Sequence, residues 1–266
     1  VERIASAMLK RPHTLEYEKT FMPFCLLSKK RYVGMLYETD VNKGSRKSMG
    51  LVLKRRDNAG IVKEYYGGVV DIIMRGEAVG VKEAYGFVQR KLEELVRGNV
   101  DIKKLLISKS LRGFYKAPNQ IAHKVLANRI AMRAPGSEPT AGDRMDFAYI
   151  VNPNKAALQG DRIETPQHIE AENLELDYGH YISNQLMKPL SQLFALVLED
   201  LPGFERKRER FAQIIRTVES SMDDQEKLRA KIEKLRMKEV EVLLFGPSLR
   251  ITNNKAAGRR AITDFF

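Results

Sequence analysis

Hydrophobic and polar residues alternate in short runs over about the first 56 residues, a pattern typical of β-strands. Residues 15–20 and 31–37 are rich in aromatic and branched side chains, which favour strands. Residues 42–45 are predicted to form a loop, and residues 50–53 a further strand. Because so short a segment buries little core by itself, we expect this part to complete a larger sheet.

After residue 56, apolar residues recur at spacings of three and four, which indicates helices. The predicted helical segments are, in chain order, 61–73, 85–98, 101–106, 120–133, 178–198 and 205–239. Residues 147–151 are predicted to form a lone strand, and Pro189 is expected to bend the helix that contains it. Residues 253–260 are predicted to be a flexible linker. The predicted fold class is therefore α+β, with a small β-rich part followed by a mainly α-helical part.

The chain of 266 residues carries 46 Lys and Arg against 34 Asp and Glu, a formal net charge of +12. A protein surface with this excess of positive charge attracts the phosphates of nucleic acid. A basic protein with no nucleic-acid partner would have the same composition. The single cysteine, Cys25, excludes an internal disulfide and the usual cysteine-ligated zinc and iron–sulfur sites. No apolar run approaches the ~20 residues that cross a bilayer, so we expect a soluble intracellular protein with no membrane partner.

The most distinctive local feature is a succession of four long side chains, Lys29, Lys30, Arg31 and Tyr32. On a strand, Lys29 and Arg31 would share one face, and Lys30 and Tyr32 the other. One interpretation is a solvated strand end, which is common for a basic run. The other is a cationic probe that enters a nucleic-acid groove and reads the shape of the duplex more than its sequence.

Two further pairs of charged residues are candidates for binding a ligand. Arg55 and Arg56 lie at a predicted strand-to-helix junction, where phosphates are favoured, unless one of them simply pairs with Asp57. Glu16 and Glu18 are two apart on a predicted strand, so both carboxylates face one way. They favour a divalent cation or a raised pKa, or else they form an exposed acidic strand edge.

Six segments, in the same order along the chain, resemble the C-terminal part of the family B DNA polymerases of the delta type. The first three are Leu15-Glu16-Tyr17-Glu18-Lys19, Ser28-Lys29-Lys30-Arg31-Tyr32-Val33-Gly34 and Arg55-Arg56-Asp57-Asn58. The fourth joins Val100-Asp101-Ile102 to Leu106-Ile107-Ser108-Lys109-Ser110-Leu111, and the fifth joins Ala127-Asn128-Arg129 to Pro135-Gly136-Ser137 and Gly142-Asp143-Arg144. The sixth contains Asp177-Tyr178, Tyr181, Gln185-Leu186 and Lys188-Pro189-Leu190. Together these segments cover about residues 10–200.

The resemblance implies a domain plan and a duplex-binding role. Residues 1–56 would be the last strands of the palm domain, residues 57–250 the helical thumb, and residues 251–266 a flexible tail. The family's Lys-Lys-Arg-Tyr motif contacts primer–template duplex near the primer terminus, in and beside the minor groove. That role carries over to Lys29, Lys30, Arg31 and Tyr32, and phosphate contacts carry over to Arg55 and Arg56. Related polymerases use the pair that matches Glu16 and Glu18 for an ancillary metal ion.

Several motifs of these polymerases are missing. The Asp-Thr-Asp motif, the first aspartate motif and the Lys-x-x-x-Asn-Ser-x-Tyr-Gly helix, which serve two-metal nucleotidyl transfer, do not occur in the chain. We therefore expect no catalytic residue in this chain and no activity from it alone. Missing upstream residues would hold most of the catalytic Mg²⁺ pair's ligands, an ancillary ion could bind at Glu16 and Glu18, and deoxynucleoside triphosphates would bind the full enzyme. The chain would then be a C-terminal fragment or one subunit of a split enzyme, acting in a nucleus or at a viral replication site.

The end of the chain suggests another partner. Ile262, Phe265 and Phe266 resemble the anchors of a box that binds a sliding clamp, although Arg259 stands where that box has Gln. The other interpretation is a frayed hydrophobic terminus. The delta-type cysteine clusters are absent, which together with this ending favours a large DNA virus as the source. The alternative function is a stand-alone module that binds duplex DNA or docks on a clamp without catalysis.

Overall fold

The computed structural model describes residues 2–10, 12–13, 17–38, 40–54, 57–75, 80–154 and 156–256. The chain divides into two compact units. Unit 1 comprises residues 1–51 with 74–76, and unit 2 comprises residues 52–73 with 77–266. Antiparallel sheets occur in both units and most helices in unit 2, which confirms the predicted α+β class. The names palm and thumb for these parts stay predictions.

Unit 1 is built around one three-stranded antiparallel sheet. A short helix precedes three strands in the order β1-β2-β3, and these elements are α1 (Glu2–Met8), β1 (Thr20–Ser28), β2 (Arg31–Tyr37) and β3 (Ser45–Met49). Strand β2 coincides with the predicted strand at 31–37. It is the central strand, and its Val33 and Leu36 are buried.

Two predicted strands of unit 1 were misplaced. The first strand was predicted at 15–20 but occupies β1. Residues 17–19 have no regular structure, and residues 14–16 lie outside the described ranges. Almost every residue of β1 is apolar, so its alternating exposure leaves no trace in the sequence. The strand predicted at 50–53 lies instead at β3, a polar edge strand that backbone hydrogen bonds to β2 hold in place.

The described residues of unit 2 form nine α-helices and a second antiparallel sheet. Its strands are β4 (Ile107–Ser110), β5 (Arg144–Tyr149) and β6 (Ile163–Glu164), in the order β4-β5-β6. Its helices in the described ranges are α2 (Gly60–Met74), α3 (Gly80–Val96), α4 (Ala122–Arg133), α5 (Pro166–Ala171), α6 (Tyr178–His180), α7 (Met187–Phe194), α8 (Arg208–Ser220), α9 (Gln225–Val240) and α10 (Gly246–Ala256). The predicted helices at 61–73, 85–98 and 120–133 are confirmed.

Three features of unit 2 differ from the sequence-based expectation. The strand at 147–151 is not alone, because β5 pairs with both β4 and β6. The charged stretch 205–239 forms two contacting helices, α8 and α9, because Asp224 accepts hydrogen bonds from two backbone N–H groups and starts a new helix. Residues 251–256 belong to α10 and not to the flexible tail predicted to begin at residue 251, and residues 257–266 lie outside the described residues.

The helical stretch after residue 177 changes helix type just before Pro189, and the bend expected there stays a prediction. Helix α6 passes into a π-helical turn over Tyr181–Leu186, where the backbone N–H of Met187 donates to the carbonyl of Ile182. Helix α7 follows, with Pro189 in its first turn. A proline has no backbone N–H and displaces the carbonyl four residues before it, which accounts for the local change of helix type.

Tyr181 joins three parts of the core of unit 2. It is fully buried, and its hydroxyl donates to the carbonyl of Leu105 at 2.8 Å and accepts from the backbone N–H of Tyr149 at 2.9 Å. Tyr149 in turn stacks on His180 at 3.5 Å between ring centroids. Burial lowers the pKa of His180 to about 4, so this ring is neutral at pH 7. The helix that begins at Tyr178 is thereby fixed to β5.

A buried ion cluster ties α4 to β6. The Glu164 carboxylate is 3% exposed and lies 2.9 Å from the guanidinium of Arg133 and 3.4 Å from that of Arg129. Arg129 also donates to the carbonyls of Gly160 and Ile163. Two cations and several hydrogen bonds thus compensate one buried carboxylate, the condition under which a buried charge is tolerated.

None of the helices within the described ranges has both the length and the apolar character needed to cross a membrane.

Candidate nucleic-acid interface

Lys29 and Lys30 form the two-residue turn between β1 and β2. Cross-strand pairing runs to Ser28 opposite Arg31, which leaves only these two lysines outside the ladder. The prediction that the four residues from 29 to 32 share one strand is therefore wrong. Lys30 has a φ of 62°, in the left-handed region that closes tight turns. No glycine, asparagine, aspartate or proline marks this turn in the sequence.

Both turn lysines are exposed. Among the described residues, no carboxylate lies within ion-pairing distance of either ammonium group. Because a lysine has a long flexible stem and three donors, the pair presents six N–H donors beyond the end of the sheet. This arrangement suits the phosphates and minor-groove acceptors of a nucleic-acid duplex.

Arg31 and Tyr32 are half-buried at the start of β2. The ring of Tyr32 packs against Phe21 at 5.8 Å and Phe24 at 5.5 Å between centroids. Aromatic contacts of this kind are worth about 0.5–1.5 kcal/mol beyond the area they bury. Of the four predicted contact residues, the two lysines are thus free to reach a ligand, and Tyr32 fixes the strand from which they project.

The face of the sheet that contains Tyr32 carries further exposed residues. Leu26 and Met49 lie directly opposite Tyr32 on the flanking strands and are 58% and 42% exposed. Lys47 lies opposite Gly34 on β3, on the same face, and is exposed. Sequence reasoning missed Lys47 because it placed no strand at 45–49. Lys47 adds a further cation to the surface of the sheet.

Gly50 determines how closely the chain after β3 approaches the lysine turn. Its φ is 65°, and a Cβ at this position would lie 2.3 Å from the carbonyl oxygen of Lys30 and 3.0 Å from Cγ of Arg31. Because the Lys30 oxygen belongs to the backbone, a side chain at residue 50 cannot be accommodated by a rotamer change. Gly50 therefore packs directly against the turn and helps to set its position.

We expect Gly50→Ala to displace the lysine turn and to weaken duplex binding about fivefold or more, because one misplaced donor loses about 1 kcal/mol. The matched control is Gly136→Ala. Gly136 also has a positive φ, 91°, but has no atom within 4 Å of its would-be Cβ, so the control introduces backbone strain without a collision. Fluorescence anisotropy with a labelled primer–template measures both variants. Equal affinities would show that the contact at Lys30 is unimportant.

The remaining predicted site residues have no described geometry, with one exception. Glu16, Arg55 and Arg56 lie outside the described residues, as do the three predicted clamp anchors Ile262, Phe265 and Phe266. Glu18 is described, is exposed and forms an ion pair with its neighbour Lys19. That carboxylate raises the pKa of Lys19.

The described residues do not fit a metal ion by themselves. Glu18 is already paired with a lysine, and nowhere in the described ranges do three His, Cys, Asp or Glu side chains converge as ligands. Divalent cations such as Mg²⁺ take several oxygen ligands. No step of a reaction can be assigned to a metal ion on the described part of the chain.

Comparison with known proteins shows what the chain as a whole is similar to. Residues 1–197 match DNA polymerase family B. The chain is 48% identical over 261 residues to a DNA polymerase of Pyramimonas orientalis virus, covering 97% of this chain and 21% of that protein. It is 42% identical over 202 residues to a DNA polymerase of Acanthamoeba polyphaga mimivirus, covering 74% and 12%. It is 32% identical over 193 residues to the DNA polymerase delta catalytic subunit of Candida albicans, covering 73% and 18%.

The chain spans about a fifth or less of the length of these relatives. A solved structure with the same fold is the family B DNA polymerase from the hyperthermophilic archaeon Pyrobaculum calidifontis. The TM-score is 0.56 at 20% identity, over 71% of this chain and 24% of that one. At this identity the similarity concerns the fold.

Proposed function

This chain belongs to DNA polymerase family B, and on that premise we propose that it is the C-terminal part of a replicative DNA-directed DNA polymerase. In this proposal unit 1 is the end of the palm and unit 2 the thumb. The chain grips primer–template duplex while nucleotides are joined elsewhere in the enzyme. The observation that carries the proposal is the turn of Lys29 and Lys30, which presents two exposed cations without a carboxylate partner in the described residues.

The exposed apolar side chains of the small sheet support its assignment to a larger palm domain. On β1, Met22, Phe24 and Leu26 are 70%, 47% and 58% exposed and lie on one edge strand. A contiguous exposed apolar strip of this kind marks an interaction surface. Further strands or helices of the same enzyme would cover it, in agreement with a chain that spans only part of its relatives.

The chemistry of nucleotide addition belongs to the longer enzyme in this proposal. Mg²⁺, when bound there, lowers the pKa of the attacking hydroxyl and neutralises the charge of the triphosphate. The ions and the deoxynucleoside triphosphate bind residues outside this chain. The chain itself orients the duplex, which is a matter of position and electrostatics. Its place of action would be a nucleus or a viral replication site.

The footprint of the chain on primer–template DNA tests this proposal. Hydroxyl-radical cleavage should reveal protection of the sugar–phosphate backbone on the duplex side of the primer terminus. The single-stranded template overhang should remain open to cleavage. Protection confined to the overhang would contradict the proposal, and so would protection that ignores the position of the terminus.

We further propose that the end of the chain docks on a sliding clamp, as the sequence of Ile262, Phe265 and Phe266 suggests. Phe265→Ala with Phe266→Ala should abolish binding to the clamp of the same replication system, because buried aromatic anchors dominate such small interfaces. Duplex affinity should stay unchanged. The control is Leu196→Ala with Val242→Ala, which removes two apolar side chains that are 51% and 52% exposed. Titration calorimetry measures both, and clamp binding that survives the Phe substitutions would refute the assignment.

A further inference from the structure

Helices α8 and α9 of unit 2 form a hairpin with an apolar groove along it. The short connection at 221–224 places the two helices side by side, and they contact each other. A groove of about 310 Å³ runs between them. Its apolar lining consists of Phe211 and Ile214 of α8, Leu235 of α9, and Val242 of the π-helical turn that follows α9. We call it the α8–α9 groove.

The chain itself covers the apolar lining of this groove only in part. Ile214 is 38% exposed and Val242 is 52% exposed. Within α8, all of which is described, Phe211 is the only buried residue, although apolar residues recur along the helix at spacings of three and four. A short amphipathic helix is stabilised chiefly by burial of its apolar face. This face of the hairpin is therefore open to another apolar element.

Three cations and one carboxylate border the α8–α9 groove, which gives its rim a net charge of 3 − 1 = +2. The carboxylate of Glu239 is already neutralised by an ion pair with Lys207. Arg210 and Lys238 are exposed. Among the described residues, no carboxylate lies within ion-pairing distance of either of these two side chains. The rim therefore offers two cations to an acidic ligand.

Acidic residues close to the rim do not reverse its charge. Glu209 precedes Arg210 in sequence, and Glu241 follows Lys238 by three residues, but neither of them lines the groove. Exposed lysines at 231 and 234 recur with Lys238 at spacings of three and four, so all three lie along one flank of α9. Positive charge thus outweighs negative charge on this flank.

The groove lies outside the part of the chain that matches DNA polymerase family B, because that match ends at residue 197. The viral polymerase that is 48% identical matches 97% of the chain, a share that includes α8 and α9. We therefore look for an occupant among the partners of this chain's own replication system.

We propose that the α8–α9 groove binds an amphipathic α-helix of a separate partner protein, with apolar residues at spacings of three and four and Asp or Glu on both flanks. The ridges of a third helix fit the groove between two packed helices, and apolar anchors at these spacings are how such helices bind. The acidic flanks pair with Arg210 and Lys238. This inference is independent of the proposed function, because its ligand is not DNA.

Two other occupants complement the groove less well. The end of this chain, residues 257–266, contains two Arg and one Asp, so its charge does not oppose that of the rim. Duplex DNA presents a strongly polar surface of phosphates and sugars, whereas half of the residues that line the groove are apolar. An acidic amphipathic helix matches both the apolar lining and the cationic rim.

Binding of designed peptides to the 266-residue chain tests the groove. The probe is a labelled helical peptide of about five turns, with Leu at spacings of three and four and Glu on both flanks. Its two companions are a scrambled peptide and a peptide with Lys in place of each Glu. In fluorescence anisotropy, the Glu peptide should bind about tenfold or more tightly than the scrambled one.

Two double variants examine the rim and the lining separately. Arg210→Glu with Lys238→Glu should weaken binding of the Glu peptide about tenfold or more and strengthen binding of the Lys peptide. Ile214→Ala with Val242→Ala should weaken binding of the Glu peptide by a similar factor, because buried apolar surface is lost. The rim control reverses the charge of two exposed lysines, Lys82→Glu with Lys103→Glu. The lining control is Met132→Ala with Leu158→Ala, at residues that are 77% and 59% exposed.

Several results would overturn the proposal. One is equal binding of the Glu and scrambled peptides, and another is a loss in the controls as large as that in the groove variants. A dimer in sedimentation velocity that Ile214→Ala with Val242→Ala abolishes would assign the groove to a second copy of the chain. Weaker binding of duplex DNA to both groove variants than to their controls would assign it to nucleic acid. Tighter peptide binding after deletion of residues 257–266 would assign it to the end of the chain.

Discussion

Replacing Lys29 and Lys30 together by alanine should weaken binding to primer–template duplex by about 1–3 kcal/mol, the range for loss of good groove contacts. Both side chains project from a two-residue turn and are exposed. Removing two phosphate-reaching cations should also lower the salt dependence by about 1.8 in the log–log slope. The fold should be unaffected, since neither lysine has an ion pair in the described residues. Fluorescence anisotropy at several salt concentrations measures affinity and slope together.

The control for this prediction is Lys231→Ala with Lys234→Ala on α9. These lysines are also exposed and also lack a carboxylate partner in the described ranges, so the net charge changes by the same amount. If general attraction between a basic protein and DNA were all that mattered, both double variants would lose affinity equally. That result would contradict a specific role for the β1–β2 turn. The proposal expects a much smaller loss in the control.

Arg129→Ala should destabilise unit 2 by about 1–3 kcal/mol, the cost of leaving buried hydrogen-bond acceptors without their donor. The Glu164 carboxylate, which is 3% exposed, would keep only Arg133 as a cationic neighbour. The carbonyls of Gly160 and Ile163 would also lose their donors. Urea unfolding followed by far-ultraviolet circular dichroism measures the loss.

Arg97→Ala is the matched control for Arg129→Ala. Arg97 also pairs with a glutamate, Glu93, but both side chains are more than half exposed. Exposed pairs contribute about 0–1 kcal/mol, so this variant should unfold almost like the unsubstituted chain. A cost below about 1 kcal/mol for Arg129→Ala would show that the buried cluster does not stabilise the unit. Arg129 belongs to a segment that resembles the polymerase family. Its presence in that segment would then need an explanation other than stability.

Secondary structure with a clear period was predictable, and tertiary partners were not. Helix α2 shows its buried face as apolar residues at spacings of three and four, and it was found. Strand β1 was missed because apolar residues occupy both of its faces, so no period remains. The lysine turn was missed because Lys30 adopts a positive φ without a residue type that signals it.

The resemblance to the family located the motifs but did not separate binding residues from structural ones. Arg129 and Tyr181 both lie in matching segments, yet the first compensates a buried carboxylate and the second bridges Leu105 and Tyr149 inside the core. Their partners lie about 30 to 76 residues away in sequence, a distance over which spacing carries no information. The break between α8 and α9 could have been predicted from the sequence, because Asp224 is a typical N-cap residue.

The most direct test of the central claim is the affinity of the 266-residue chain for primer–template duplex and for single-stranded DNA of the same length, measured across a salt series. If the chain is the part of a polymerase that grips duplex, it should bind the duplex more tightly than the single strand at every salt concentration. Its affinity for the duplex should also fall steeply as salt rises. Equal or tighter binding to the single strand would contradict the account, because the net charge of +12 alone would then explain all the DNA binding.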